Sequence, residues 1–188
     1  MLNSAFLGWF QKCLARFNLK FLSVAAVGSF MSIGLISYLG FFYEKALIFP
    51  SFASSAVVLF MTPRLMLRQV KNVLGGQLVS ALVGVTIYKI FGSSWWAISL
   101  GVSIALVMMI LTDTIHPPGG ATAFAAIALH EDYLFVIKPV FLGMVLLILI
   151  ALMIQFCAGL KKDNFKTIGS FLIEARNFYK QFKEKNYQ

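Results

Sequence analysis

Apolar residues run along this chain in long blocks, and the polar ones collect in the gaps between them. Four blocks, at about 21–42, 73–91, 95–112 and 134–158, come close to the ~20 residues that cross a hydrocarbon core ~30 Å thick at ~1.5 Å per residue. Trp95 and Trp96 open the third block, as aromatics do at a membrane interface. Two further blocks, 47–62 and 117–129, are shorter, interrupted by proline near their starts and rich in small residues. As helices they cover only part of a bilayer. Their non-helical leads must then be buried or line a wet cavity, because unpaired backbone is costly in lipid. Near the start, Phe6, Leu7, Phe10, Leu14 and Phe17 fall at helical spacing away from Lys12 and Arg16, which predicts a short interfacial helix. Beyond Gly159, Phe165, Ile168, Leu172, Ala175, Tyr179 and Phe182 recur every three or four residues in a Lys-rich background. That pattern predicts an amphipathic helix whose basic face favours anionic lipid.

Composition narrows the class. Of 188 residues, 60% are hydrophobic and only 12% charged, and 19 are Phe; an ordinary globular protein carries roughly 25% charged residues. So few charges cannot cover the surface of a soluble fold this short. A soluble enzyme, a disordered protein and a secreted disulfide scaffold are all excluded. The net charge of +9 falls in clusters beside apolar blocks: Lys12, Arg16 and Lys20; Arg64, Arg68 and Lys71; Lys161, Lys162 and Lys166. This is the cytoplasmic bias of membrane proteins, and no nucleic-acid module accompanies it. Cys13 and Cys157 stand far apart and form neither a disulfide framework nor a metal site. No cofactor is implied. The run 21–42 is too long for a signal peptide and reads as a retained first span.

Charge also chooses the number of crossings. If both short blocks cross, the N-terminus, the 64–71 loop, the 113–116 turn and the tail share one side. Residues 44–45, 89–94 and 130–132 lie on the other. Every strong basic cluster then sits inside, as the positive-inside rule asks of short loops. The expected setting is a bacterial plasma membrane with both termini cytoplasmic. Residues 46–56 can be laid over 113–123, and the order long span, short proline-led helix, long span occurs twice. Three crossings per copy make the second inverted relative to the first, an arrangement in which secondary transporters bind substrate at the broken helices. The expected fold is therefore an all-α polytopic bundle of about six membrane segments. Two inverted three-helix repeats, about 21–91 and 95–158, make up a transmembrane domain spanning 21–158. An interfacial helix (1–20) precedes it and a basic cytoplasmic tail (159–188) follows. So thin a bundle leaves room for self-association.

Candidate chemistry gathers at the two proline-led starts. In the run Asp113-Thr114-Ile115-His116-Pro117-Pro118-Gly119-Gly120-Ala121-Thr122, each proline pushes its predecessor towards extended geometry. Pro118 suits a first helical turn, and Gly119 and Gly120 let another group come close. Free first-turn amides and the positive end of the helix dipole would form a site for an anion, with His116 and Thr122 as further donors. Pro50-Ser51-Phe52-Ala53-Ser54-Ser55 offers a second such start, with hydroxyls from Ser51, Ser54 and Ser55. Blander roles stand beside these. His116 can wedge a tight turn, Asp113 can cap one, and Asn72 and Gln77 can bond neighbouring backbone. Gly76, Ser80 and Gly84, spaced by four, favour close helix packing.

The run DTIHPPGGATAF resembles the signature of the HPP family of integral membrane proteins, and the likeness extends to FPSFASSAVVLF and KNVLGGQLVSALVGV, over roughly residues 20–158. The resemblance implies a transporter or channel for a small anion, with nitrite foremost. It implies His116, Pro117, Pro118, Gly119 and Gly120 as motif residues, with Asn72, Gly75 and Gly76 on the next element. The family commonly reads Gly-Ala near Phe52–Ala53 and His near Gln77, departures that bear on substrate more than on fold. The expected partners are a small inorganic anion and membrane lipid, without nucleic acid. Two readings compete: a non-transporting scaffold or sensor, and an intramembrane enzyme using His116 and Asp113. The second lacks an activated nucleophile, a metal-ligand cluster or a phosphate loop, so no enzyme is expected.

Overall fold

The computed structural model describes residues 19–42, 50–61 and 67–159. Nearly all of the expected interfacial helix and basic tail lies outside them, as do the connections carrying Glu44, Lys45 and Arg64. Within the described residues every regular element is a helix. These are α1, Leu19–Phe42; α2, Pro50–Phe60; α3, Leu67–Phe91; α4, Trp95–Leu111; α5, Gly119–Ala128; and α6, Tyr133–Cys157. Three contain stretches long and apolar enough to cross a membrane: 19 residues in α1, 23 in α3 and 25 in α6. The fourth expected long span, α4, has 17 residues, or ~25 Å at ~1.5 Å each, the short end of the spanning range.

Local chemistry sets where these helices stop and bend. Ser94, extended at φ −141°, caps α4 by accepting from the Ala97 amide at 3.3 Å, as a serine N-cap does. At the far end of α4 the Thr114 and Asp113 amides donate back to the carbonyls of Met109 and Ile110, at 2.9 and 3.2 Å. The end of α5 repeats the device, with the Glu131 and His130 amides on Ala126 and Ile127 at 3.0 and 3.3 Å. This is the paired closure of a Schellman motif, usually built on glycine in the left-handed region. Here Asp113 (φ 51°) and His130 (φ 60°) occupy it. In α6 the stretch Val136–Leu142 widens to π-helical bonding around Pro139. Proline has no amide to give and crowds the preceding turn, and a π turn absorbs that defect without breaking the helix.

The short helices are best followed along α3. At its first end Lys71 pairs with Asp113 at 3.2 Å; at its last, Tyr88 stacks on His130, ring centroids 5.2 Å apart. The segment from Asp113 through α5 to His130 therefore runs the length of α3 and does not turn back. About 15 Å of ten-residue helix plus ~13 Å of extended lead covers the ~25 Å between Lys71 and Tyr88. α2 runs the opposite way. Its last turn meets the beginning of α3, where Gln69 Nε2 donates to the Val58 carbonyl at 3.1 Å, and the end of α6, where Gln155 Nε2 donates to the Leu59 carbonyl at 3.1 Å. The main core joins α2, α3, α5 and α6 through Phe52, Leu59, Val73, Ala126, Met144 and Leu147, all buried. Large apolar side chains such as Phe30, Leu111 and Phe156 point outward.

Candidate functional site

The two short helices pass each other at Gln77, and the backbone explains why they can come so close. An ideal Cβ on Gly76 would stand 2.6 Å from the Thr114 carbonyl oxygen and 2.6 Å from His116 Cβ. The extended peptide before α5 is therefore pressed against α3 where a side chain is missing. Gly84 meets the Ala123 carbonyl at 2.7 Å on the same terms, and a Cβ on Gly119 would meet Ser80 Oγ at 2.6 Å. The four-residue spacing of Gly76, Ser80 and Gly84 is a packing groove for α5, as small residues are between membrane helices.

Into this groove three helices send polar side chains that bond one another. The Thr122 hydroxyl donates to Gln77 Oε1. Gln77 Nε2 donates to Ser55 Oγ at 2.9 Å, and Ser55 Oγ lies 2.8 Å from His116 Nε2. Ser55 and Gln77 are 0% exposed, and His116 and Thr122 2%. Among the described residues no buried side-chain nitrogen or oxygen lacks a hydrogen-bond partner. Satisfaction of that kind is what makes a buried polar chain affordable at all. A ligand that binds here competes with these partners.

The sequence-predicted residues divide accordingly. His116, Thr122 and Ser55 come together directly, with Gly76 and Gly119 making room and buried Pro118 opening α5 at φ −58°. Gly75 packs on Thr114, a Cβ there falling 2.7 Å from Thr114 Cγ2. Ser51 is buried in the first turn of α2, and the half-buried Ser54 turns its hydroxyl back to the Pro50 and Ser51 carbonyls at 3.2 and 3.1 Å. Asn72 is half-buried one turn before Gly76, Gly120 is half-buried, and Pro117 is exposed. Asp113 stands at the end of the bundle, exposed, with Lys71. One expectation is not met: the first-turn amides of α5 are not free. The amides of Gly119, Gly120 and Ala121 donate to the carbonyls of His116, Pro117 and Pro118 at 2.8, 3.1 and 3.1 Å. The prolines fold the lead into a tight turn that supplies its own acceptors. Gln77, whose sequence position suits a bond to neighbouring backbone or to substrate equally, instead joins both short helices.

Comparison with known proteins bears on this arrangement. The model of a family described as HPP, transmembrane region, matches residues 14–163. The chain belongs to the HPP transmembrane family. It is an integral membrane protein. A transmembrane protein of Dictyostelium discoideum is 34% identical over 164 residues, covering 81% of this chain and 53% of that protein. A second transmembrane protein of the same organism is 33% identical over 113 residues, 56% of this chain and 40% of the relative. The chain thus spans about half the length, or less, of these relatives. No solved structure matches. The HPP signature itself, His116 to Gly120, forms the turn pressed on Gly76 and the start of α5.

Proposed function

We propose that the chain moves a small inorganic anion across a membrane, nitrite in the first place, with the Ser55–His116–Gln77–Thr122 chain as its midway site. The observation that carries this reading is the chain itself. Four buried polar side chains from α2, α3, α5 and the lead into α5 meet where two oppositely directed short helices overlap. Hydroxyl, amide and imidazole donors suit a small acceptor-rich solute, and the absence of a fixed charge among them favours release as well as binding. The close packing at Gly76 and Gly119 favours a small solute over a large metabolite. Family resemblance supplies nitrite, and the reading assigns no catalytic residue.

The same reading takes the bundle as two inverted repeats, related by an offset of 67 residues from Pro50 to Pro117. Three pairs of contacts support it. Ser55 and Thr122, equivalent under that offset, bond the two ends of the same Gln77 amide. Phe52 faces Gly143, a Cβ there meeting the ring at 2.8 Å, and the equivalent Gly119 faces Gly76, its Cβ 3.0 Å from the Gly76 carbonyl. Phe60 packs on Gly28 of α1 as the equivalent Ile127 packs on Gly101 of α4. We place the protein in a bacterial plasma membrane with both termini cytoplasmic, on the charge bias of its loops. Flux of nitrite, nitrate, formate and chloride into liposomes holding the purified protein tests the reading. Nitrite flux above protein-free vesicles is expected; no flux of any of the four from correctly inserted protein would reject it.

A further inference from the structure

Among the described residues, an anion that reaches Gln77 meets no fixed positive charge. Nine polar side chains are buried among the described residues; eight are serines, threonines and glutamines, which stay neutral, and the ninth is His116. The charged side chains described on the surrounding elements lie elsewhere. Lys71, at the start of α3, is exposed and paired with Asp113 beyond the end of α4. Lys89, at the far end of α3, lies over the Tyr88 ring, and Lys138 of α6 is exposed. α2, α4 and α5 contain no charged residue. A bare anion entering this interior gives up its hydration for dipoles alone, which is a costly transfer. A proton on His116 changes that, because anion and imidazolium together carry no net charge.

Ser55 ties the two events to each other. Its oxygen already accepts from Gln77, whose orientation is fixed by Thr122 at the other end of the amide. Its single hydrogen can then be donated to His116 Nε2, 2.8 Å away, when the ring is neutral with its hydrogen on Nδ1. A proton added to Nε2 removes that acceptor. The Ser55 oxygen has lone pairs for both Gln77 and the imidazolium N–H, so its own hydrogen is released and needs an acceptor. A small anion supplies that acceptor and balances the imidazolium charge. On the anion-transport reading above, we propose that the site is that of an electroneutral anion–proton symporter, with His116 as the proton carrier. His116 takes a proton from water on Nε2 as the anion loads, and returns it to water when the anion leaves on the other side.

The full chain in liposomes tests this with two simultaneous readouts, nitrite flux and lumenal pH reported by a trapped dye. Membrane potential is set with potassium and valinomycin, and protein-free vesicles are subtracted to remove nitrous acid crossing the lipid. The wild-type protein is expected to acidify the lumen by one proton per nitrite entering, at a rate indifferent to the imposed potential. His116→Gln keeps a hydrogen-bonding amide but cannot take the proton. Its flux should fall about tenfold or more, the scale of a lost charge-assisted hydrogen bond, and what remains should follow the potential. Wild-type nitrite flux that follows the potential with lumenal pH unchanged would overturn the symport and leave anion transport standing. Absence of nitrite, nitrate, formate and chloride flux from inserted protein would overturn both.

Discussion

Thr122 and Gln77 are buried so deeply that neither has water to turn to if the other is removed. Thr122→Val is nearly isosteric and deletes only the hydroxyl that holds Gln77 Oε1. It is expected to destabilise the detergent-solubilised protein by ~1–3 kcal/mol, the cost of a buried acceptor left unpaired, read as a lowered Tm. Thr122→Ser restores the donor and should recover most of the loss. Combined with Gln77→Met, Thr122→Val should cost less than the sum of the two single changes, since the orphaned oxygen is gone. Additive effects would mean that the bond is not made. Thr122, Ser55 and His116 were legible in the sequence because proline and glycine mark the turn that presents them. Gln77 was not. An amide on an apolar helix has no local signature, and its partners lie 22 and 45 residues away.

Between elements, the decisive contact is the approach of the α5 lead to α3. Gly76→Ala sets a methyl 2.6 Å from a backbone carbonyl that the Asp113–Thr114 closure holds in place. Overpacking of this kind costs ~1–3 kcal/mol, and here it should also lower flux by shifting His116. Gly120→Ala is the matched control. Its nearest neighbour would be Val102 Cγ1 at 3.8 Å, an ordinary contact, so it should be neutral or stabilise the helix by up to ~1 kcal/mol. Equal loss from both would refute the close-packing account. At the opposite end of α5, burial, with the charge of Asp132 beside it, raises the Glu131 carboxyl above its ordinary range. The native state then holds that proton more firmly than the unfolded one. Glu131 therefore lowers stability once the pH is above its raised native value, and the penalty disappears as the pH falls through the carboxylate range. Glu131→Gln should raise Tm slightly at pH 8, by no more than the ~0.5 kcal/mol usual for surface substitutions, and the gain should vanish in acid. At this scale the sequence announced the short helices through Pro50 and Pro117. It did not announce the caps at Asp113 and His130, where residues other than glycine take the left-handed conformation. Nor did it announce the occupied first-turn amides, since bonding within a proline turn depends on how tightly the turn closes.

At the scale of the bundle, the question is whether the two faces set by charge are the two faces set by geometry. The positive-inside argument puts Lys71 and Asp113 on the cytoplasmic side, and Lys89 and Glu131 on the other. The packing groups the same residues independently. Lys71 pairs with Asp113 at one end of α3; Tyr88, next to Lys89, stacks on His130, next to Glu131, at the other. Neither argument uses the other's premises, and both need α5 to complete a crossing. Single cysteines at positions 71, 113, 89 and 131, in a background where Cys13 and Cys157 are serine, separate the alternatives in intact cells. A membrane-impermeant thiol reagent added outside should label 89 and 131 and leave 71 and 113 untouched until the membrane is opened. The cost of Lys71→Cys is slight, because an exposed ion pair contributes ~0–1 kcal/mol. Labelling of 113 and 131 from one and the same face would make α5 a re-entrant loop. The repeat equivalence of Ser55 and Thr122 would then be a coincidence, because two re-entrant loops cannot present oppositely directed half-helices to one glutamine while joining spans on the faces that the loop charges require.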